Sequence, residues 1–272
     1  MLTAAMRRRL WRTVDGFDVQ RHVIGALILR ELHTRYGRDN IGYLWMLAEP
    51  MILAASVAII HVGYGGTGGE HGSDLRAVPF TLMGYCVFMI FRSIVSRSET
   101  ALESNKALLF HRMVTIFDIL LSRALLEFLS TIAALVILLT GAAALGLGSL
   151  PARPLLLLTG ILLFTWFSFA ISMSISAATY FSHAIAKIVH PAVYIAMPLS
   201  GAFFLLSWIP EPYRGWMAWS PSVQIFEMIH MGQFASIEEA DFSPVYILGW
   251  CLGLTLIGIT ALRFLRRHVH LN

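Results

Sequence analysis

The sequence predicts an all-α integral membrane protein, and three observations carry that prediction. Of its 272 residues, 57% are hydrophobic and only 13% are charged, which is about half the charged fraction of a soluble domain. The hydrophobic residues are grouped in six stretches of roughly the 20 residues that a helix needs to cross a bilayer. Lysine and arginine are concentrated in alternate connections between those stretches. This composition excludes a disordered chain and disfavours a soluble globular enzyme.

Six transmembrane helices are predicted, and together they form a transmembrane domain over residues 43–272. The predicted spans are residues 43–64, 78–96, 119–147, 155–181, 189–208 and 245–265. Fifteen of the lysine and arginine residues lie on the side of the membrane that holds both ends of the chain, and three lie on the other side. Because basic connections remain in the cytoplasm, we expect both termini to be cytoplasmic.

Residues 1–42 precede the first span and are expected to contain an interfacial helix that begins near Asp18. Val23, Leu27 and Ile28 belong to an apolar stripe on that helix, while Arg21 and Arg30 lie on its polar face. A helix with an apolar stripe and a basic face lies in the membrane interface and does not cross the bilayer.

The connection between spans two and three, residues 97–117, is predicted to form a cytoplasmic amphipathic helix. Its apolar residues alternate with polar ones; the polar ones are Glu99, Glu103, Asn105 and Lys106. The connection before the last span, residues 209–243, is too apolar for a free loop. Ser220 followed by Pro221 is typical of a helix start, so we expect one or two re-entrant external helices there, the second ending near Met231.

The chain lacks the motifs of a nucleotide-hydrolysing enzyme or a metal site. The glycine-rich stretch Gly63–Gly72 has no lysine with which to reach a phosphate, and His183 and His190 are interpreted as structural. Ser172 and Ser176 share a helix face close to His183, which leaves an intramembrane serine hydrolase open. Hydroxyl residues at this spacing more often allow close helix packing.

Ionisable residues inside the predicted spans are costly and therefore informative. Glu49 lies in the first span beside Pro50 and has no partner nearby in the sequence, so we expect it to face protein or water. Arg92 lies near the cytoplasmic end of the second span, where its guanidinium can reach the interface. Arg123 and Glu127 are four residues apart in the third span, a spacing at which they can neutralise one another.

Three segments resemble the permeases of ABC-2 type transporters, most closely the branch that exports capsular polysaccharides. The first is the basic run before Ile41, Gly42, Trp45 and the Glu49-Pro50 pair. The others are residues 96–127, with their ending Ala-Leu-Leu-Glu, and residues 219–230. The chain departs from the family pattern at Ser220, where asparagine is usual, and just before Asp118, where proline is usual.

The resemblance implies a homodimer of this chain bound to two copies of a cytoplasmic ATPase subunit, which alone binds ATP and magnesium; the chain itself would hold no cofactor or metal and bind no nucleic acid. The cargo would be a lipid-linked polysaccharide, passed from the cytoplasm across the bacterial inner membrane to periplasmic and outer-membrane export proteins. Residues implied in coupling to the ATPase are Glu99, Glu103, Asn105, Lys106, Arg112 and Asp118.

A sugar polymer needs a wetted path with aromatic and hydroxyl groups, and the chain carries such residues in or near its spans. The predicted path residues are Tyr43, Trp45, Glu49, Tyr85, Arg92, Trp166 and Ser172. Arg35 and Arg38 would form the cytoplasmic mouth and draw in an anionic polymer, although the same arginines also fit positive-inside topology and contact with membrane lipid. Lipid-linked O-antigen, teichoic acid or a small drug remains open as cargo.

Overall fold

The computed structural model describes residues 4–36, 48, 51–52, 56, 77–109, 114–146 and 148–268, and no strand occurs among them. The helices are α1 (Ala4–Tyr36), α2 (Ala77–Ser98), α3 (Lys106–Leu109), α4 (Ile116–Ala144), α5 (Pro154–Phe181), α6 (His183–Leu199), α7 (Glu211–Ala218), α8 (Pro221–Gln233) and α9 (Pro244–His268). Two short 3₁₀ helices, Glu103–Asn105 and Leu206–Trp208, lie between them. The predicted all-helical class is thereby confirmed.

Four of the described helices are long and apolar enough to cross a membrane. These segments are Pro79–Ser98, Ile116–Ala144, Pro154–Phe181 and Pro244–His268, and they agree with the second, third, fourth and sixth predicted spans to within three residues at either end. Most of the first predicted span, residues 43–64, lies outside the described residues.

The fifth predicted span, residues 189–208, is wrong as a single helix. Helix α6 begins earlier, at His183, and ends at Leu199. Gly201 then adopts a φ of 92°, a left-handed conformation that glycine accepts readily and that cannot continue a right-handed helix. At 1.5 Å per residue, the 17 residues of α6 extend about 25 Å, less than the roughly 30 Å of a bilayer core.

Two other predicted boundaries also differ from the structure. Helix α1 starts at Ala4, well before the expected Asp18. The connection between α2 and α4 is not one amphipathic helix: a turn over residues 99–102 leads into the 3₁₀ helix and the single turn α3. Leu102 and Leu109 are both buried, so the two sides of this connection are held by tertiary packing and need no continuous helical stripe.

Two helices, α7 and α8, precede the last predicted span, as the sequence predicts. Pro221 is the first residue of α8, as the sequence predicts. The hydroxyl of Ser220 lies 2.9 Å from that of Ser222 and does not cap the helix. Nearly every residue from Ile225 to Gln233 is buried, because α8 packs along α5 in the interior of the bundle.

Helix α5 is the central element, since α2, α4, α6, α8 and α9 all contact it. Glycines permit the closest of these approaches. A Cβ atom at Gly232 of α8 would lie 2.5 Å from the backbone nitrogen of Leu157, and one at Gly258 of α9 would lie 2.8 Å from Cβ of Met173. Both glycines thus bring a neighbouring helix within backbone contact of α5, as small residues do in membrane bundles.

We expect Gly232→Ala to destabilise the protein because the added methyl group meets the backbone of Leu157, which cannot move aside as a side chain can. Overpacking of this kind costs about 1–3 kcal/mol. The measurement is thermal unfolding of the purified protein in detergent. The matched control is Gly249→Ala in α9, where a Cβ atom meets nothing within 4 Å. Equal melting temperatures for the two variants would contradict the packing described here.

Candidate functional site

Helix α1 is attached to the connection between α2 and α4 by an apolar cluster. Leu27 of α1 packs with Leu102, Leu109 and Ile119, and all four side chains are buried. We call this contact region the α1 junction. Its members are Gln20, Leu27, Arg30 and Glu31 of α1 together with Arg97, Leu102, Asn105, Leu109, Asp118, Ile119 and Arg123.

Two side-chain hydrogen bonds hold the same junction at either end. The amide Nε2 of Gln20 donates to Oδ1 of Asp118 at 3.0 Å, and Nη2 of Arg30 donates to Oδ1 of Asn105 at 2.7 Å. Asn105 also donates from Nδ2 to the carbonyl of Ala101. Asn105 and Asp118 are buried, so these contacts fix the register of α1 against the connection.

A buried carboxylate lies at the centre of the polar part of the junction. Oε1 of Glu31 is 3.4 Å from Nε of Arg123 and 3.6 Å from Nη1 of Arg97. The contact with Arg123 is an ion pair without hydrogen-bond geometry at Nε, and Nη1 of Arg123 donates to the carbonyl of Arg97 at 3.0 Å. Removing one partner of a buried ion pair typically costs about 3–5 kcal/mol. Glu31 therefore joins α1 to both α2 and α4.

Asp118 begins α4 as part of a capping box. Thr115 Oγ1 accepts from the backbone nitrogen of Asp118 at 3.2 Å, and Oδ2 of Asp118 accepts from the backbone nitrogen of Thr115 at 3.0 Å. Each partner satisfies a backbone donor that a helix start would otherwise leave unpaired. The start of α4 is thus satisfied without a proline just before Asp118, where this chain has Phe117.

The turn after α2 connects the junction to two further helices. Oε1 of Glu99 lies 3.5 Å from Nδ1 of His190 in α6, and the carbonyl of Glu99 accepts from Oγ1 of Thr179 in α5 at 3.3 Å. Glu103, by contrast, is exposed. The side chain of Lys106 lies outside the described part, and so does Arg112.

The predicted path residues that the structure describes contact different partners. Nη2 of Arg92 donates to the hydroxyl of Tyr194 at 3.1 Å, and its guanidinium carbon is 5.2 Å from the centre of that ring. Trp166 donates from Nε1 to Oγ1 of Thr255 at 2.9 Å, and Tyr85 is buried. The remaining predicted path and mouth side chains, except Ser172, lie outside the described part: Arg35, Arg38, Tyr43, Trp45 and Glu49.

The serine stripe of α5 is part of the helix interior. Ser172 is fully buried, and its hydroxyl donates to the carbonyl of Phe169 at 2.7 Å. Ser176 is 1% exposed, and its hydroxyl has no hydrogen-bond partner. His183 begins α6 as an exposed residue. These placements fit the packing interpretation of the stripe.

A second polar site surrounds Glu227 of α8. Glu227 is 5% exposed, and its Oε1 accepts from the backbone nitrogen of Leu206 at 2.6 Å. It lines a cavity of about 530 Å³ together with Glu238, Glu239 and Asp241. Burial raises the pKa of Glu227 from 4.5 to about 7; the hydrogen bond from Leu206 opposes this rise, and the charge of Asp241 adds to it.

His230, one turn further along α8, is completely buried, and neither ring nitrogen has a hydrogen-bond partner. Its ring stacks on Phe80 of α2 with 4.5 Å between centroids. Burial lowers the pKa of His230 from 6.5 to about 3, so the imidazole is neutral at pH 7 and serves as a packing group between α8 and α2.

Glu31, Tyr194 and Glu227 were not singled out from the sequence. A signal for Glu31 was present, because it follows Leu27 by four residues and therefore shares the buried face of α1. Nothing in the local sequence of Glu227 indicates that α8 is buried. Tyr194 acquires its role from Arg92, 102 residues away.

Long apolar helices with a polar junction at one end define an integral membrane protein of the helical class. A family model described as ABC-2 type transporter matches residues 22–234. This match covers most of the chain, and the chain therefore belongs to the ABC-2 type transporter family.

Three similar proteins carry related names. The chain is 32% identical over 245 residues to the capsule polysaccharide export inner-membrane protein CtrC of Neisseria meningitidis serogroup B, covering 90% of this chain and 91% of that protein. It is 28% identical over 249 residues to BexB of Haemophilus influenzae, which has the same description, with 92% and 93% covered. It is also 28% identical over 259 residues to the polysialic acid transport protein KpsM of Escherichia coli, with 92% and 95% covered.

We expect Glu227→Gln to change how stability depends on pH. The pKa of Glu227 is about 7 in the folded protein, against an ordinary value of 4.5. Between pH 4.5 and pH 7 the folded state therefore binds more protons than the unfolded state. The contribution of Glu227 to stability is therefore greatest below pH 4.5 and is lost as the pH rises to about 7. Glutamine keeps the acceptor for Leu206 but has no charge to bury. Between pH 4.5 and pH 8 the free energy of unfolding of the variant, relative to that of the wild type, should therefore rise by on the order of 3 kcal/mol.

The measurement is the difference in melting temperature between Glu227→Gln and the wild type from pH 5 to pH 8. Taking the difference removes the opposite effect of His230, which costs stability as the pH falls below 6.5. Glu211→Gln is the control, because that side chain is 85% exposed. A difference for Glu227→Gln that stays constant with pH would show that the carboxyl is not held in a desolvated site.

Proposed function

We propose that this chain is the transmembrane permease subunit of an ATP-binding cassette exporter that moves lipid-linked capsular polysaccharide from the cytoplasm to the periplasm. The observation that carries the proposal is the similarity over 90% of the chain to a capsule polysaccharide export inner-membrane protein, within a matched ABC-2 family domain. Four long apolar helices in the described part fit a membrane subunit.

In this proposal the energy comes from another molecule. Two copies of the chain associate with two copies of a cytoplasmic ATPase subunit, which binds ATP and magnesium, and periplasmic and outer-membrane proteins receive the polymer. Both termini then lie in the cytoplasm of a bacterial inner membrane, as the distribution of lysine and arginine favours. This orientation brings the α1 junction to the cytoplasmic side, where the ATPase docks.

The α1 junction has the properties that such a docking region requires. Glu103 is exposed next to Asn105, which is buried and hydrogen-bonded to Arg30 of α1. A force applied to the exposed side of this turn therefore reaches α1 through Asn105. Through Glu99 it also reaches α5 and α6. We infer that the turn carries the motion of the ATPase dimer into the helices.

We expect deletion of the gene in the bacterium that carries it to abolish surface polysaccharide and to leave polymer in the cytoplasm, because the export step would be missing. The measurement combines surface staining with the recovery and sugar analysis of polymer from spheroplasts. Complementation with the intact gene is the control. Unchanged surface polysaccharide would contradict the proposal, and loss of an O-antigen or a teichoic acid would assign that glycan as cargo.

We expect Glu103→Lys to uncouple ATP hydrolysis from export, because it reverses the charge at an exposed position two residues before the buried Asn105. The measurement is ATPase activity and polymer export by the reconstituted complex, with the purified permease alone showing no ATP hydrolysis. Glu238→Lys makes the same charge change at the external acidic cavity and is the matched control. Equal export by the two variants would remove Glu103 from the coupling route.

A further inference from the structure

A groove of about 660 Å³ separates the connection between α2 and α4 from the last turns of α9. One wall contains Leu102, Leu109 and Val114, and the start of α4 forms its end. The other wall belongs to α9 and contains Ile259, Leu262, Arg263 and Arg266. The volume of the groove lies within the range of roughly 300–1,000 Å³ that is typical of small-molecule sites.

The α9 wall is amphipathic along the helix axis. Arg263 follows Ile259 by four residues and Arg266 follows Leu262 by four, so each arginine lies one turn further along the same helix face as an apolar residue. The apolar pair is nearer the middle of the apolar helix, and the two guanidinium groups are in its final turns. The groove thus changes from apolar to cationic over about one helical turn, or roughly 5 Å.

The two arginines are available to an external anion. No carboxylate in the described part of the chain forms an ion pair with either, and no acidic residue is among the described residues of the lining. Both side chains are exposed, whereas Arg123 is buried and paired with Glu31.

We propose that this groove binds an acidic phospholipid of the surrounding membrane, with its phosphate at Arg263 and Arg266 and its acyl chain along Ile259, Leu262 and Leu102. The order of the lining matches a phospholipid, which carries its negative charge at the bilayer surface and its apolar chains deeper. Basic pockets at the end of a transmembrane helix are suited to such headgroups. A bound lipid would join the end of α9 to the connection that begins α4, which goes beyond the proposed function and does not depend on it.

The test is native mass spectrometry of the delipidated full-length protein titrated with phosphatidylglycerol and, separately, with phosphatidylcholine of the same acyl chains. We expect phosphatidylglycerol to remain bound and phosphatidylcholine to bind at least tenfold more weakly. Arg263→Gln/Arg266→Gln should bind phosphatidylglycerol about 30-fold more weakly than the wild type, given the usual contribution of a basic residue near an anionic lipid. Arg263→Lys/Arg266→Lys keeps the charge and should restore most of the affinity.

Arg267→Gln is the matched control, because it removes one charge from the same turn of α9 but lies outside the lining. It should lose less affinity for phosphatidylglycerol than Arg266→Gln, which removes one charge from the lining of the groove. Leu262→Trp narrows the apolar part of the groove without changing charge, and we expect it to weaken binding as well.

Four results would overturn the proposal. Equal binding of the two lipids would show that charge does not select the occupant, and equal losses in Arg267→Gln and the single variant Arg266→Gln would show only diffuse attraction. Displacement by inorganic phosphate would indicate a free-anion site without a role for the acyl chain. If the ATPase subunit displaces the lipid, and Leu262→Trp prevents that subunit from binding, then the groove belongs to the ATPase. None of these measurements depends on transport.

Discussion

The ion-pair cluster around Glu31 is the constraint on which the cytoplasmic half of the proposed arrangement depends. The carboxylate and Arg123 are each 11% exposed, so the loss of Arg123 would leave a charge unpaired in a low dielectric. Arg97 is 43% exposed, and water screens its contact with Glu31 more strongly. The cluster therefore fixes the distance between α1, the end of α2 and α4. The neighbouring contacts at Gln20 and Asn105 then set the rotation of α1 about its own axis.

Packing around α5 imposes a second constraint. It depends on contacts between apolar surfaces, whereas the Glu31 cluster depends on electrostatic attraction. Helices in a bilayer gain little from hydrophobic burial against one another, so their association depends on van der Waals contact at close range. Gly232 and Gly258 supply that contact by allowing α8 and α9 to reach the surface of α5. As a result α8 lies in the interior of the bundle. The close approach at the glycines thus buries Glu227 and His230, which are part of α8.

The sequence predicts those features that depend on residues close together in the chain. Length and apolarity locate α2, α4, α5 and α9 within three residues, and Ser220-Pro221 locates the start of α8. Features that depend on distant partners are missed: the pairing of Glu31 with Arg123, the contact of Arg92 with Tyr194, and the burial of Glu227. The fifth span fails for another reason, since hydropathy continues past Leu199 while the left-handed Gly201 ends the helix. The Thr-x-x-Asp pattern of the capping box at Thr115 is present in the sequence, but its role depends on where α4 begins, which the structure supplies.

The proposed route of coupling follows from how the turn after α2 is connected. Its exposed side offers Glu103, whereas its buried side is bonded to α1 through Asn105, to α5 through the carbonyl of Glu99, and to α6 through the carboxylate of Glu99. A rigid displacement of this turn would act on all three helices, and loss of the Arg30 contact would leave the buried Oδ1 of Asn105 without that donor. Helix α5 would transmit the displacement to the largest part of the bundle, since it also packs against α8 and α9. In the proposed transport cycle, a push at the cytoplasmic turn is thus transmitted to the external helices by packing alone, without a hinge inside α5.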